Sequence, residues 1–332
     1  MIRVDVIIPC YNYARYLRGC VESVLQQDGV DVRVLIIDDC SPDDTPDVAR
    51  LLTLNDNRVE YRRHKVNQRH IKTYNEGFEW ASGDATLLLS ADDLLTPGSF
   101  RRAAELFSAR PDVGLIYGEQ IVFNEMPPMT PDVTECKSEV IAGRELVRRM
   151  CSTGSNPVNT PTAIVRTDLV KQLGGYHFAL PHTADMHYWL RIAARASVGI
   201  VHGPQAYKRM HGQNMQLDCV NRAVLDLEQR LAAIETFLSQ DADLLDDGDE
   251  LRRSAHRALA QDAFWAASRA FETEPAEQCP ELLDFALRLD PTLKDSQSWQ
   301  RLEWKRRFGQ SAWKVLGPLS NLLRGRRSAA AN

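Results

Sequence analysis

Val4-Asp5-Val6-Ile7-Ile8 runs directly into Pro9-Cys10-Tyr11-Asn12, and further on Val32-Arg33-Val34-Leu35-Ile36-Ile37 runs into Asp38-Asp39-Cys40-Ser41. Between the two runs, Tyr16, Leu17, Cys20, Val21, Val24 and Leu25 recur at helical spacing, and a second helix is expected to open near Pro46. Short β-branched runs alternating with amphipathic stretches mark a mostly parallel sheet, because parallel neighbours need a helical crossover between them. The alternation continues with strands expected at 59–61, 85–90 and 113–117, and helices at 70–81 and from 97 onward. This pattern predicts a doubly wound, Rossmann-like α/β domain in which ligands sit beyond the carboxyl ends of the strands.

Outward from that core the signals change. Residues 123–138, with Pro127, Pro128 and Pro131, read as a surface loop placed to cover the site. A second αβ portion follows, with helices expected at 144–150, 168–173 and 185–196 and strands at 163–165 and 198–201. Beyond Val220 only helical periodicity remains, as in Val224, Leu227, Leu231, Ile234, Phe237 and Leu238. The expected organisation is therefore an α/β domain over 1–217 and an all-helical extension over 218–332.

The chain has 332 residues, enough for one large domain and an appendage, and its 44% hydrophobic content can fill a core. Seven scattered cysteines without a C-x-x-C pair suggest neither a disulfide framework nor a zinc site. With no apolar run of bilayer length and no signal-peptide pattern, a cytoplasmic protein is expected. Residues 301–332 carry eight Lys/Arg against Glu303 alone, so a tail of +7 leaves the rest at −12 within a net charge of −5. Such an acidic body argues against nucleic-acid binding, which needs a basic face for the phosphates. In the tail, Trp299, Trp304, Phe308 and Trp313 interleave with basic residues. Two uses follow: a helix packed on the catalytic domain, or peripheral contact through 299–327 with anionic lipid at the inner face of the membrane.

Acids collect where strands are expected to end, at Asp38-Asp39 and at Ala91-Asp92-Asp93. Carboxylates on neighbouring strand tips repel unless a cation or donors lie between them. Mg²⁺ and Mn²⁺ favour such hard oxygen ligands, completed by substrate phosphates. Ser41, Asp43 and Asp44 read instead as turn and helix caps.

Taken together, Val6-Ile7-Ile8-Pro9-Cys10-Tyr11-Asn12, Ile37-Asp38-Asp39-Cys40-Ser41, Asn67, Asn75-Glu76-Gly77, Ala91-Asp92-Asp93, Gly174-Gly175-Tyr176, Asp185-Met186-His187-Tyr188-Trp189-Leu190-Arg191 and Arg209-Met210-His211-Gly212-Gln213-Asn214 resemble family 2 of the glycosyltransferases, with the GT-A fold. The resemblance implies a metal-dependent, inverting transfer of a sugar from a nucleotide-diphosphate donor to a glycan, lipid-linked or other hydroxyl acceptor, in cell-surface polysaccharide synthesis. By the same resemblance Pro9 and Tyr11 wall the base and Asp39 accepts from its imide N–H, which favours a UDP-sugar. Asp92 is placed at the ribose, Asp93 at Mn²⁺ or Mg²⁺, and Arg69 at the diphosphate with Lys72 as the competing cation. His211 either closes over the phosphates or joins the metal. Asp185 is the implied catalytic base, with His187 as the competing proton acceptor and Trp189 as a core residue. Ala91 departs from the usual D-x-D by replacing its first acid.

Three other classes remain to be weighed. A nicotinamide oxidoreductase lacks its G-x-G-x-x-G turn after the first strand, and a sugar-nucleotide pyrophosphorylase lacks its Gly-rich basic first loop. A catalytically silent nucleotide-sugar binder or scaffold would be expected to have lost one of Asp39, Asp92, Asp93 or Asp185, all of which are present.

Overall fold

A computed structural model of the chain describes residues 1–128, 136–212, 214, 223–272 and 279–309. Its strands are β1 (Arg3–Cys10), β2 (Asp31–Asp38), β3 (Val59–Arg63), β4 (Ala85–Leu88), β5 (Leu94–Leu95), β6 (Val113–Phe123), β7 (Lys137–Ile141), β8 (Ile164–Arg166) and β9 (Ser197–Arg209). The helices of the α/β part are α1 (Ala14–Leu25), α2 (Thr45–Asn55), α3 (His70–Trp80), α4 (Ser99–Ala109), α5 (Gly143–Thr153), α6 (Thr167–Leu173) and α7 (Ala184–Ala193). The expected alternation is present throughout the first 120 residues.

The strands form one sheet in the order β3-β2-β1-β4-β8-β6-β9-β5, with β7 also paired on β9. β3, β2, β1 and β4 run parallel, as their crossover helices require. β8 enters antiparallel between β4 and β6, which makes the whole sheet mixed. Periodicity could place β8 but not its direction, which depends on pairing with strands about 80 and 50 residues away. β9 runs well past the expected 198–201, to Arg209, because the register with β6 shifts on both sides of Glu119 and so absorbs His202, Gly203 and Gln205, leaving Pro204 opposite Glu119. A proline inside a ladder is tolerated at such an irregularity. The extension of β9 carries Lys208 and Arg209 to the strand tips.

Alternate residues of β1 and β2 serve two cores. Val4, Val6, Ile8 and Ile36 pack with α1, α2 and α4 on one face. Ile7, Leu35 and Ile37 face the other side, toward α3, α5 and α7. Gly77 is required there, since a Cβ at that point of α3 would stand 2.2 Å from Ile7 Cγ2.

The second core continues without a break into the C-terminal helices α8 (Ala223–Gln240), α9 (Gly248–Glu272), α10 (Cys279–Leu289) and α11 (Gln297–Phe308). Asp241, after α8, fixes the docking by taking Arg191 Nε at 3.1 Å and Arg195 Nη2 at 2.6 Å, both from the α7 side. The boundary expected at 217 lies outside the described residues. Trp299 and Leu302 are buried, with Trp299 stacked on Phe264 at 5.6 Å, whereas Trp304 is half-exposed. Residues 310–327 of the basic tail lie outside the described residues. Among the described residues no helix is long and apolar enough to cross a membrane.

Candidate active site

A cleft of about 900 Å³ opens at the carboxyl ends of β1, β2 and β4, bordered by Pro9, Tyr11, Asp39, Arg69, Asp92, Asp93 and Asp185. Of the expected site residues only His211 is absent from its lining, and it touches Asp92. The backbone around the cleft is strained: Asn12, Cys40 and Arg69 all have positive φ, at 61°, 63° and 66°. Arg69 also has ψ 162°, a region that side chains other than glycine rarely enter, at a cost of roughly 1–3 kcal/mol. Strain of this kind collects where the surroundings must hold a segment in a functional shape.

The β2 tip divides its acids by function. Asp38 is wholly buried and structural, accepting from Ser41 N at 2.7 Å and Tyr61 OH at 3.0 Å. Asp43 ties α1 and α2 together through Ala14 N and Thr45 Oγ1. Asp39 instead turns to the cleft, its Oδ1 accepting from Gln68 N at 2.6 Å and lying 2.7 Å from His64 Nδ1. Tyr11 is half-exposed on the cleft wall. Arg69 borders the cleft, while Lys72 bonds Gln68 Oε1 outside it.

After β4, the turn from Ser90 to Asp93 closes with a 3.0 Å backbone bond and sets two adjacent carboxylates in the interior, each only 5% exposed. Asp92 Oδ2 takes His211 Nε2 at 3.0 Å and Asn214 Nδ2 at 3.4 Å. Asp93 Oδ1 accepts Arg209 N at 2.9 Å, and its Oδ2 receives no hydrogen bond among the described residues. Burial first, and then the Asp92 charge, pushes the Asp93 carboxyl up to about 7. A carboxylate oxygen without a donor, on a largely buried residue beside a second carboxylate, is suited to a divalent ion. Among the described residues no three ligating side chains converge, so an ion there would draw the rest of its shell from substrate phosphates.

Asp185 opens α7 in a different setting. Its Oδ1 accepts from Met186 N at 2.7 Å, and its Oδ2 from Asn156 Nδ2 at 3.1 Å and Thr160 Oγ1 at 3.2 Å. Burial raises its pKa, partly offset by the Met186 and Thr160 bonds. His187 points away, into the core, at 1% exposure with Nε2 3.1 Å from Gln240 Oε1. Burial, reinforced by the Arg191 charge, brings its pKa down to about 4. A clamp connects this part to α3: Asn75 bonds both N and O of Tyr176, at 3.0 Å to the carbonyl and 2.6 Å from the amide. A Cβ on Gly175 would stand 2.2 Å from Asn75 Oδ1, and Gly174 has φ 72°, so each glycine before Tyr176 has its own reason.

His64, Asn156, Thr160 and Lys208 escaped the sequence reading. No local pattern marks them, and each reaches the cleft or its carboxylates through contacts distant in sequence.

A family model described as glycosyl transferase family 2 matches residues 5–174. An uncharacterized glycosyltransferase of a Nostoc strain is 34% identical over 121 residues, covering 36% of this chain and 38% of that protein. A Campylobacter jejuni protein named GalNAc(5)-diNAcBac-PP-undecaprenol beta-1,3-glucosyltransferase is 32% identical over 100 residues, covering 30% of this chain and 32% of that one. These matches span well under half of either relative's length. Among solved structures, S. aureus TarS 1–349 in complex with UDP-GlcNAc is similar in fold, with a TM-score of 0.66, 18% identity and 92% of each chain covered.

Proposed function

The chain belongs to glycosyl transferase family 2, and from that premise we propose that it transfers a sugar from a nucleoside-diphosphate donor, a UDP-sugar, to a hydroxyl of a glycan or lipid-linked acceptor in cell-surface polysaccharide synthesis. The observation that carries the proposal is the meeting of Asp39, Asp92, Asp93 and Asp185 on one cleft. In this reading Pro9 and Tyr11 flank the base, Asp39 Oδ2 accepts its imide N–H, and Asp92 Oδ1 takes a ribose hydroxyl. Arg69 meets the diphosphate.

Asp93 would hold Mn²⁺ or Mg²⁺ through Oδ2, and the bound ion would supply Lewis-acid charge to the departing diphosphate. His211 Nε2 is taken by Asp92, so in this reading the histidine closes over the phosphates from that anchor.

Asp185, fixed by three donors and with its pKa raised toward the working range, takes the proton of the acceptor hydroxyl. As that O–H bond breaks, the oxygen bonds the anomeric carbon and the carbon–diphosphate bond opens on the other side. One base and one displacement invert the anomeric centre.

The deciding experiment incubates the full chain with a panel of nucleotide sugars and Mn²⁺ or Mg²⁺ and scores donor hydrolysis, which needs no acceptor. Hydrolysis of a UDP-sugar is expected. Binding of UDP without turnover of any donor would favour the silent binder, and indifference to UDP and GDP would remove the proposal altogether.

For the proposed contact with anionic lipid, the supporting observation is half-exposed Trp304 beside exposed Arg301, Arg306 and Arg307. Salt-sensitive binding to phosphatidylglycerol vesicles should be lost in Trp304→Ser with Arg306→Glu and Arg307→Glu. Equal binding by that variant would sink it.

A further inference from the structure

His64 follows β3 by one residue, and its backbone N–H bonds Asp38 O at 2.9 Å, which sets its side chain beside Asp39. The imidazole is held between two carboxylates: Nδ1 lies 2.7 Å from Asp39 Oδ1 and Nε2 lies 2.8 Å from Glu76 Oε2. A neutral ring has one N–H and one acceptor lone pair, so only the imidazolium can donate to both. Burial lowers the imidazole pKa, but Asp39 and Glu76 more than offset it and hold it above the ordinary value. Arg62 stands on the far side of Glu76, with Nη1 3.7 Å from Oε1, and Arg63 turns its guanidinium to Asp38 at 3.3 Å. His64 is thus the cation placed directly against the buried Asp39 carboxylate, whose side chain is 7% exposed.

The chemistry of base reading depends on that pairing. Asp39 borders the cleft; its Oδ1 is taken by His64 and Gln68 N, while its Oδ2 receives no hydrogen bond among the described residues. An ionised carboxylate is acceptor-only, whereas a protonated one can donate. Uracil presents an N–H at its imide position, and cytosine presents a lone pair there. The protonation state of one carboxyl therefore decides which base is welcome.

We propose that His64 is a positioning residue for nucleotide selection: braced by Glu76, it pins Asp39 Oδ1 and so leaves Oδ2 as the acceptor that takes uracil and rejects cytosine. This rests on the base-reading role given to Asp39 above.

The test is calorimetry of UDP and CDP binding to the full chain at pH 7.5, read as the ratio of the two affinities. In that ratio the contributions of the phosphates and of any metal ligand cancel. In His64→Leu it should fall about tenfold, the scale of one charge-assisted hydrogen bond. His64→Gln, which keeps a donor without the charge, should restore much of the ratio. Glu76→Gln, which leaves Asp39 untouched, should weaken the ratio, and with His64→Gln it carries the test if His64→Leu does not fold. An unchanged ratio in the folded His64 variants overturns the inference. Asp39→Asn separates the two levels, since it should invert the preference. If it does invert while the His64 variants match wild type, the inference alone fails; if Asp39→Asn leaves the ratio intact, the base-reading role fails with it.

Discussion

Asp93 and Asp185 are both carboxyl groups turned into one cleft and both held above the usual carboxylate range, yet their surroundings differ. Asp93 sits at a strand tip beside a second buried acid, with a single backbone N–H for support. Asp185 stands at a helix start and receives three donors from Asn156, Thr160 and Met186. Crowded, undersupplied negative charge favours a cation, whereas a lone, well-oriented carboxylate with a raised pKa favours a proton. The difference teaches that the number of donors and like charges around one residue type can suit it to two tasks, the division proposed above.

The sharpest way to break this division is Asp185→Asn. Turnover should fall on the order of 10³-fold, the scale of a lost general base, while calorimetry finds UDP affinity unchanged. Retained turnover would show that Asp185 is only a helix-start residue. Asp93→Asn should act on the other side, weakening Mn²⁺-dependent UDP binding about a hundredfold and leaving metal-free UDP binding near wild type. If Mn²⁺ titrations of the two proteins coincide, the cation seat is elsewhere.

Acid sharpens the contrast more gently. With Asp93 raised to about 7, a divalent ion must displace a proton below that pH. Apparent Mn²⁺ affinity in the presence of UDP should then drop by up to about tenfold per unit as pH falls below 7. The sign for stability is opposite. A carboxyl raised above its unfolded value of about 3.9 contributes stability that is lost as pH rises toward 7, so metal-free Asp93→Asn should melt higher than wild type at pH 7.5 but not at pH 4. A melting difference that ignores pH would contradict the assigned shift. The smallest effect is expected from Thr160→Val, which removes one donor from Asp185. A fall of about threefold to tenfold in kcat, with the acid limb of the pH–rate profile moved upward, would mark Thr160 as tuning the base. An unmoved limb would restrict it to packing.

The placement of the strand-tip acids could be read in advance because Asp39, Asp92 and Asp93 come just after apolar runs, and residues after such runs in a parallel sheet face the ligand side. Asp185 was legible for a related reason, as an acid opening an amphipathic helix inside a motif. His64, Asn156, Thr160 and Lys208 were not, since nothing in their neighbours in sequence says which carboxylate they meet. His64 reaches Asp39 across 25 residues and Thr160 reaches Asp185 across 25. Helices α1 to α7 were likewise legible from spacing, whereas the full reach of β9 was hidden by His202, Gly203 and Pro204.

From its sequence alone the chain was bound to form strand-helix units with acids at their ends, because apolar period and local chain stiffness act over a few residues. Only the tertiary structure decided that β8 runs antiparallel, that α8 to α11 share a core with α7, and that each acid meets its own set of donors. Those outcomes depend on side chains brought together from far along the chain, and the electrostatic surroundings of a carboxyl group exist only after the fold has closed around it.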